Sequence, residues 1–313
     1  MKSSLVGYTG FVGSNLVQSH DFTYKFNTKN IEHSFGTKPD LLIYAGLRAE
    51  KYLANNDPEQ DLKSIEQAFE NIKKIQPHKL VLISTIDVYG DPVNVYEDSG
   101  IITEKLQPYG ANRLLLEKKV HDYWPEALVV RLPGLFGKNI KKNFIYDFIT
   151  MIPTMLKKDK FIELAEKEKL LFEYYSLQNN GFYKCKPLSN SEEEKLKNIF
   201  SQLGFSALNF TDSRAVFQFY GLHHLWNHIE KALMNNLNIL NLATEPVEIG
   251  ELYHRITGCE FENKVSQQPP YYDFKTKYDR IYGGNRGYIF DKQTVINEII
   301  EFIQEQKNEI INI

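Results

Sequence analysis

The sequence predicts a doubly wound α/β domain with a parallel central sheet, joined to a smaller C-terminal region. Three observations predict it. Short apolar runs alternate with amphipathic stretches as far as about position 137. The first run, "SSLVG", passes directly into Gly7, Gly10 and Gly13, a glycine turn that opens a helix. The runs are continuously apolar rather than alternating, as strands buried on both faces must be.

Each element follows in order. "SSLVG" is a strand, "FVGSNLVQS" a helix, "YKFNT" a second strand and "PDLLIYAG" a third, bounded by a proline and a glycine. Pro58 to Ile75 is a helix, with Leu62, Ile65, Phe69, Ile72 and Ile75 at helical spacing. "KLVLISTIDVYG" is a strand with polar residues at its C-terminal end. Tyr109 to Tyr123 is a helix and "ALVVRLPGLFG" a strand. After Gly137 the texture changes. "NFIYDFITMIPTML" reads as helical, and Lys157 to Phe210 as charged and irregular. Within it Ser191 is the expected N-cap of a helix, Glu194 its capping-box partner and Gly204 its stop. "LHHLWNHIEKALMNN" is a helix and "ILNLATEP" a strand returning to the sheet. The terminal helix carries Ile296, Ile299, Ile300 and Ile303 on one side. The expected division is a sheet domain over 1–137 and a second region over 138–313. That region holds an insertion at 158–213, and about 215–245 returns to the sheet.

Bulk properties exclude several classes. A chain of 313 residues with 42% apolar and 25% charged residues buries a sizeable core. A formal charge of −3 gives no electrostatic case for nucleic acid or anionic lipid. Two cysteines, Cys185 and Cys259, make neither a disulfide framework nor a metal-ligand spacing, so a reducing cytoplasm is the expected compartment. No apolar run reaches membrane-spanning length, and the N-terminus does not read as a signal peptide. His223 and His224 are adjacent and expected to diverge, so no metal is assigned.

The glycine turn carries the first chemistry. Without a Cβ, backbone amides approach a pyrophosphate closely, and the following helix adds positive charge at its N-terminus. The spacing G-x-x-G-x-x-G resembles the extended short-chain dehydrogenase/reductases, the nucleotide-sugar epimerases and dehydratases, on a Rossmann-type fold. "AGLRA", "ISTIDVYG", "PYGANR", "VVRLPGLFG" and "LNLATEPVEIGEL" resemble successive motifs of that family, over about residues 3–137 and 215–255.

The resemblance implies a chemistry. In the family a tyrosine moves a sugar hydroxyl proton. A lysine one helical turn on bonds the nicotinamide ribose and lowers the phenol pKa, and a Ser or Thr on the next strand holds the same hydroxyl. The matching residues are Tyr109 and Thr85, with Arg113 in the lysine place. Asp87 stands where dehydratases often carry Glu, and strand alternation would put it on the face of Thr85; a turn-capping role is the equal alternative. The cofactor is expected to be NAD or NADP, held by Gly7, Thr9, Gly10, Phe11, Val12, Gly13, Asn27, Ala45, Gly46, Ser84, Tyr109, Arg113, Leu132 and Pro133. Asn27 stands where the family often has the Asp that selects NAD, and Lys25 and Lys29 flank it.

Other positions depart from the family pattern. Asp61 replaces an Asn on the helix flanking the cofactor, and Gly134 replaces another Asn. The expected phosphate-binding Arg is missing near 217, leaving Arg214, Arg280 or Arg286 as substitutes. "PPYYDF", Pro269 to Phe274, reads as a surface turn. The expected activity is hydride transfer at a ring carbon of a nucleotide-linked sugar, in a homodimer built on the helices 62–75 and after Tyr109. The rival reading is a dinucleotide-binding sensor or scaffold without turnover, and Arg113 decides between them.

Overall fold

The structure is a computed structural model; it describes the backbone of residues 2–311 and the side chains of residues 2–306. Six parallel strands form the central sheet in the order Ile239–Asn241, Leu128–Leu132, Lys79–Thr85, Leu41–Tyr44, Ser3–Val6 and Tyr24–Phe26. The chain leaves Ser3–Val6 towards one edge and returns on its other side at Leu41–Tyr44. The winding therefore reverses between these two strands, and the crevice beyond their carboxyl ends is where such sheets bind ligands.

Period-two side-chain alternation splits the apolar residues between the two faces. Leu5, Ile43, Val81 and Val130 face a cluster with Leu16, Trp226 and Ile229. Val6, Leu42, Leu80, Leu82 and Val129 face the opposite cluster, with Ile65, Ile72, Leu116 and Val120. The helix Pro58–Ile75 carries Asp57 as its N-cap, with Pro58 at the first turn.

One polar group crosses the second cluster. Arg131, on a central strand, lies 2.6 Å from Glu117 of the helix Pro108–Tyr123, and both side chains are at most 4% exposed. Glu117 also accepts from Ser84, and Arg131 donates to the Tyr89 hydroxyl at 2.6 Å. The charges are compensated and their donors used, the condition for tolerating a buried pair.

The chain divides into two compact units. The first comprises Met1–Ile140, Val216–Val247 and Tyr271–Glu298, and contains the sheet. The second comprises Lys141–Ala215, Glu248–Pro270 and the chain from Ile299. It has its own core, in which Leu156, Phe161, Leu164, Tyr175, Leu196 and Phe200 are buried. The segment read as irregular is thus ordered. It contains the helices Lys158–Lys167 and Asn190–Gln202 and the antiparallel strands Met155–Lys157, Phe182–Cys185 and Tyr175–Leu177. The helix expected over "NFIYDFITMIPTML" stops at Thr150, and Met155–Lys157 pairs as a strand. The N-cap is Ser189, not Ser191, with Glu192 as its capping-box partner. "SNSEEE" offers the S-x-x-E pattern twice, and the earlier copy extends the helix. Gly204, at φ +62°, follows the helix end as expected.

Removing one partner of the Arg131–Glu117 pair strands a buried charge. We expect Glu117→Ala to lose about 3–5 kcal/mol of stability, read as a lowered midpoint in chemical denaturation. An unchanged midpoint would show that the pair is solvated.

Candidate functional site

The residues named by the sequence collect at the carboxyl ends of the sheet strands. Gly7 follows the first strand, Ala45 and Gly46 the third, and Pro133 the fifth; Thr85 ends the fourth. The three turn glycines are needed for different reasons. Gly7 has φ +92°, and a Cβ there would lie 2.3 Å from the Ala45 carbonyl oxygen. A Cβ on Gly13 would lie 2.1 Å from the Gly7 carbonyl oxygen. Both are demanded by the fold itself. A Cβ on Gly10 would meet only that same oxygen, at 3.3 Å. No side chain caps the helix Phe11–Ser19, and no acidic residue stands in its first turn. This end is therefore open to an anion, in the manner the donor set of a phosphate loop requires.

Asn27 sits at the end of the strand Tyr24–Phe26. Its side-chain oxygen accepts from the Lys29 amide at 2.9 Å. Ser84 is buried and its hydroxyl donates to Glu117, so that hydroxyl serves the helix Pro108–Tyr123. Leu132 is buried, and Pro133, Thr9, Phe11 and Val12 are at least partly exposed.

Tyr109, Thr85 and Asp87 come together. Tyr109 lies in the first turn of its helix, whose N-terminus receives the Asn55 side-chain oxygen, 2.9 Å from the Tyr109 amide. Thr85 neighbours its phenol and acts to lower its pKa. The strand ends at Thr85, which caps a short 3-10 turn, Ile86–Val88, by accepting from the Asp87 amide at 3.2 Å. The alternation expected to align Thr85 with Asp87 is therefore not the cause; the turn is. Gly110 permits this packing, because a Cβ there would lie 2.0 Å from the Asp87 carbonyl oxygen.

Arg113 has a partner that the sequence reading treated as a separate departure. Its terminal nitrogens lie 3.0–3.2 Å from both carboxylate oxygens of Asp61, and Nη2 donates to the Arg48 carbonyl at 2.8 Å. The side chains of Arg113 and Asp61 are 5% and 11% exposed. The guanidinium lies over the Tyr109 ring, 4.5 Å from its centre, rather than at the hydroxyl. Asn112 also donates to Asp61, at 2.9 Å. Held this way, the Arg113 guanidinium is engaged by Asp61 and the Arg48 carbonyl.

The exposed cation of the site is Lys51, which the sequence reading missed. Its amine lies 2.6 Å from Asp87 Oδ1 and 3.4 Å from the Tyr272 hydroxyl, with 44% and 21% exposure for Lys51 and Asp87. Tyr272 also stacks near Phe217, so the segment read as a surface turn runs into the site. No spacing rule marks Lys51; it starts the short helix Lys51–Asn56. Burial alone would lower its amine, but Asp87 and Tyr272 override this and raise it. Burial raises the Tyr109 phenol; Arg113 pulls the other way without reversing it. Tyr109 faces two neutralised pairs, Arg113 with Asp61 and Lys51 with Asp87, and keeps its proton.

The substrate-side departures have local explanations in part. A Cβ on Gly134 would lie 2.9 Å from the Gln218 carbonyl oxygen, so the neighbouring strand requires glycine there. Arg214, in the second unit, is paired with Asp212 at 2.7 Å, whereas Arg280 and Arg286 are exposed.

No protein-family model matches the sequence, and no curated protein matches it. Solved structures do match in fold. A dTDP-4-dehydrorhamnose reductase from Yersinia enterocolitica superposes with a TM-score of 0.63 at 12% identity, over 97% of this chain and 100% of that one. The Bacillus anthracis reductase of the same name, in complex with NADP, gives 0.63 at 16% identity, over 97% and 99%. A UDP-glucuronic acid 4-epimerase from Bacillus cereus, in complex with NAD and a fluorinated UDP-sugar, gives 0.58 at 16%, over 98% and 100%. The chain therefore shares the fold of these sugar-nucleotide reductases and epimerases.

Proposed function

We propose that the protein is a nicotinamide-dinucleotide-dependent enzyme acting on a nucleotide-linked sugar, with Tyr109 as its acid/base. The observation that carries this is the placement of Tyr109 beside Thr85, with Asp87 joined to Thr85, at the carboxyl edge of a sheet whose glycine turn is open to an anion. The amides that begin the helix Phe11–Ser19 hold the pyrophosphate, and Asn27 faces the ribose. Asn27 carries no charge to repel a 2′-phosphate, so the site takes NAD or NADP, as structural neighbours do. A bound nicotinamide would supply the hydride chemistry at a ring carbon; Tyr109 moves the proton.

The protonated phenol is the form that donates to a carbonyl oxygen. The free site is thus set for the reducing direction, in which a keto sugar takes its proton from Tyr109 while Thr85 holds the same oxygen. Lys51, its amine raised by Asp87 and Tyr272, acts through Asp87 and Thr85 as a second cation of the site, and Arg113 as a fixed, paired one. A sensor without turnover is the weaker reading: an idle site has no need to keep Tyr109 and Thr85 in register, or to match Arg113 with Asp61. We further propose that the second unit binds the sugar, and that the chain works as a cytoplasmic homodimer.

Three outcomes are expected. Gly10→Val leaves the unfolding midpoint near the parent's, because little stands beside a Cβ there. Dinucleotide affinity falls by more than about tenfold. Unchanged affinity in calorimetry would remove the phosphate-loop assignment. Second, Tyr109→Phe abolishes hydride exchange across a panel of nucleotide sugars yet leaves cofactor binding nearly intact. Lys51→Met lowers kcat/KM by about 10²-fold and moves the pH profile. Arg113→Lys loses activity because it loses the bidentate pairing. A rate gained by Arg113→Lys over an inactive parent would favour the sensor. Third, light scattering at micromolar concentration gives a dimer mass; a monomer mass refutes the assembly.

A further inference from the structure

We propose that His223, His224 and Glu298 form a binding site for a borderline transition-metal ion of the zinc class, distinct from the sugar chemistry. The sequence offers only two adjacent histidines, which on a regular helix would point apart. The structure brings them together and adds a third group. Leu222–His224 is a 3-10 turn leading into the helix Leu225–Met234, and the two imidazole rings lie 3.9 Å apart, centre to centre. Glu298 reaches them from the helix Lys292–Ile311. One ligand atom from each of the three falls within 4.8 Å of the others.

Three details make the cluster a built arrangement. His224 Nε2 lies 2.8 Å from Glu298 Oε1. Two acceptor lone pairs at that distance attract only with a positive centre between them, a proton or a metal ion. The position where Gly221 would carry a Cβ lies 2.9 Å from His223 Nδ1 and 3.2 Å from Glu298 Oε2, so both atoms converge on one point that a side chain would fill. The His224 ring is held from behind, 4.6 Å from Phe290 and stacked 5.6 Å from His228. His228 is in turn anchored by the Tyr220 hydroxyl, 2.8 Å from its Nδ1.

The donor set selects the ion. Two imidazole nitrogens and one carboxylate oxygen suit Zn²⁺, Co²⁺, Ni²⁺ or Cu²⁺, whereas Mg²⁺ and Ca²⁺ ask for oxygen. Tetrahedral zinc at about 2.1 Å from each ligand sets them about 3.4 Å apart. The His224–Glu298 pair, at 2.8 Å, would open slightly to that separation, and His223 would move in by side-chain rotation. Zn²⁺ would lie between His224 Nε2, Glu298 and His223, with water completing the coordination. His224 is 26% and Glu298 19% exposed, so an ion has a way in. The bound ion ties the terminal helix to the turn after the strand Phe219–Gly221.

The test is calorimetric titration of the full chain with zinc chloride after chelator treatment, paired with thermal unfolding. The expected result is a saturable one-to-one isotherm, a raised midpoint with Zn²⁺ and none with Mg²⁺. His224→Gln and Glu298→Gln should each weaken binding by at least about tenfold and cancel the rise. Gly221→Ala should do the same by displacing His223, with circular dichroism unchanged. The proposal is overturned if zinc gives no saturable binding, or if all three variants bind it as the parent does.

Discussion

The buried pairing of Arg113 with Asp61 is the constraint around which the site is arranged. A guanidinium in so dry a place is tolerable only if its charge and its donors are matched. Asp61 supplies both oxygens and the Arg48 carbonyl a third acceptor. The pair joins the helices Pro58–Ile75 and Pro108–Tyr123 and fixes the turn that leads into Lys51. Neither substitution makes sense alone. Arg113 opposite a neutral amide would be a buried cation without a counter-charge, and Asp61 opposite a short lysine would lose its bidentate match. Two departures from the resembled pattern are thus one.

That exchange moves the mobile charge of the site. Arg113 cannot lose its proton in practice, and its partner is nearly as buried as it is. Lys51 is a flexible primary amine, more than a third exposed, on a carboxylate that itself reaches Thr85. A ligand entering the crevice can compete for Lys51 and Asp87 but not readily for Arg113 and Asp61. Whatever responds to substrate in the electrostatics of Tyr109 therefore lies on the Lys51 side.

Much of the architecture was legible because its signals are local. The helix Pro58–Ile75 has a cap, a proline at its first turn and a continuous apolar stripe, and the sequence boundaries match the structure. The strands of the sheet are apolar runs bounded by glycine and proline, and Tyr109 and Thr85 sit inside recognisable motifs. What escaped depends on long-range packing. Lys51 meets Asp87 across a separation that no spacing rule reads. Tyr272 enters the site from a segment rich in proline and tyrosine, which by composition belongs on a surface. Arg113 was read for its charge, donors and shape, without its partner Asp61, which lies on another helix. The ordered core of the second unit went unread for a related reason. Its strands are only three or four residues long, too short for a period to show.

The glycine turn separates what the fold needs from what a ligand needs. Gly7 is held at a positive φ against the Ala45 carbonyl, and Gly13 against the Gly7 carbonyl, so a side chain at either breaks the packing of strand, turn and helix with no ligand involved. Their presence is evidence for the fold. Gly10 has an ordinary extended backbone, φ −78° and ψ 171°, and a single neighbour beside its absent Cβ. Backbone conformation does not explain a glycine there, since almost any residue adopts it, and packing explains it only through the 3.3 Å approach to the Gly7 carbonyl oxygen. The remaining physical reason is space on the open side, at a helix terminus with no side-chain cap and no acidic residue in its first turn. The case for an anionic cofactor therefore rests on Gly10, the one glycine of the three that the structure could do without.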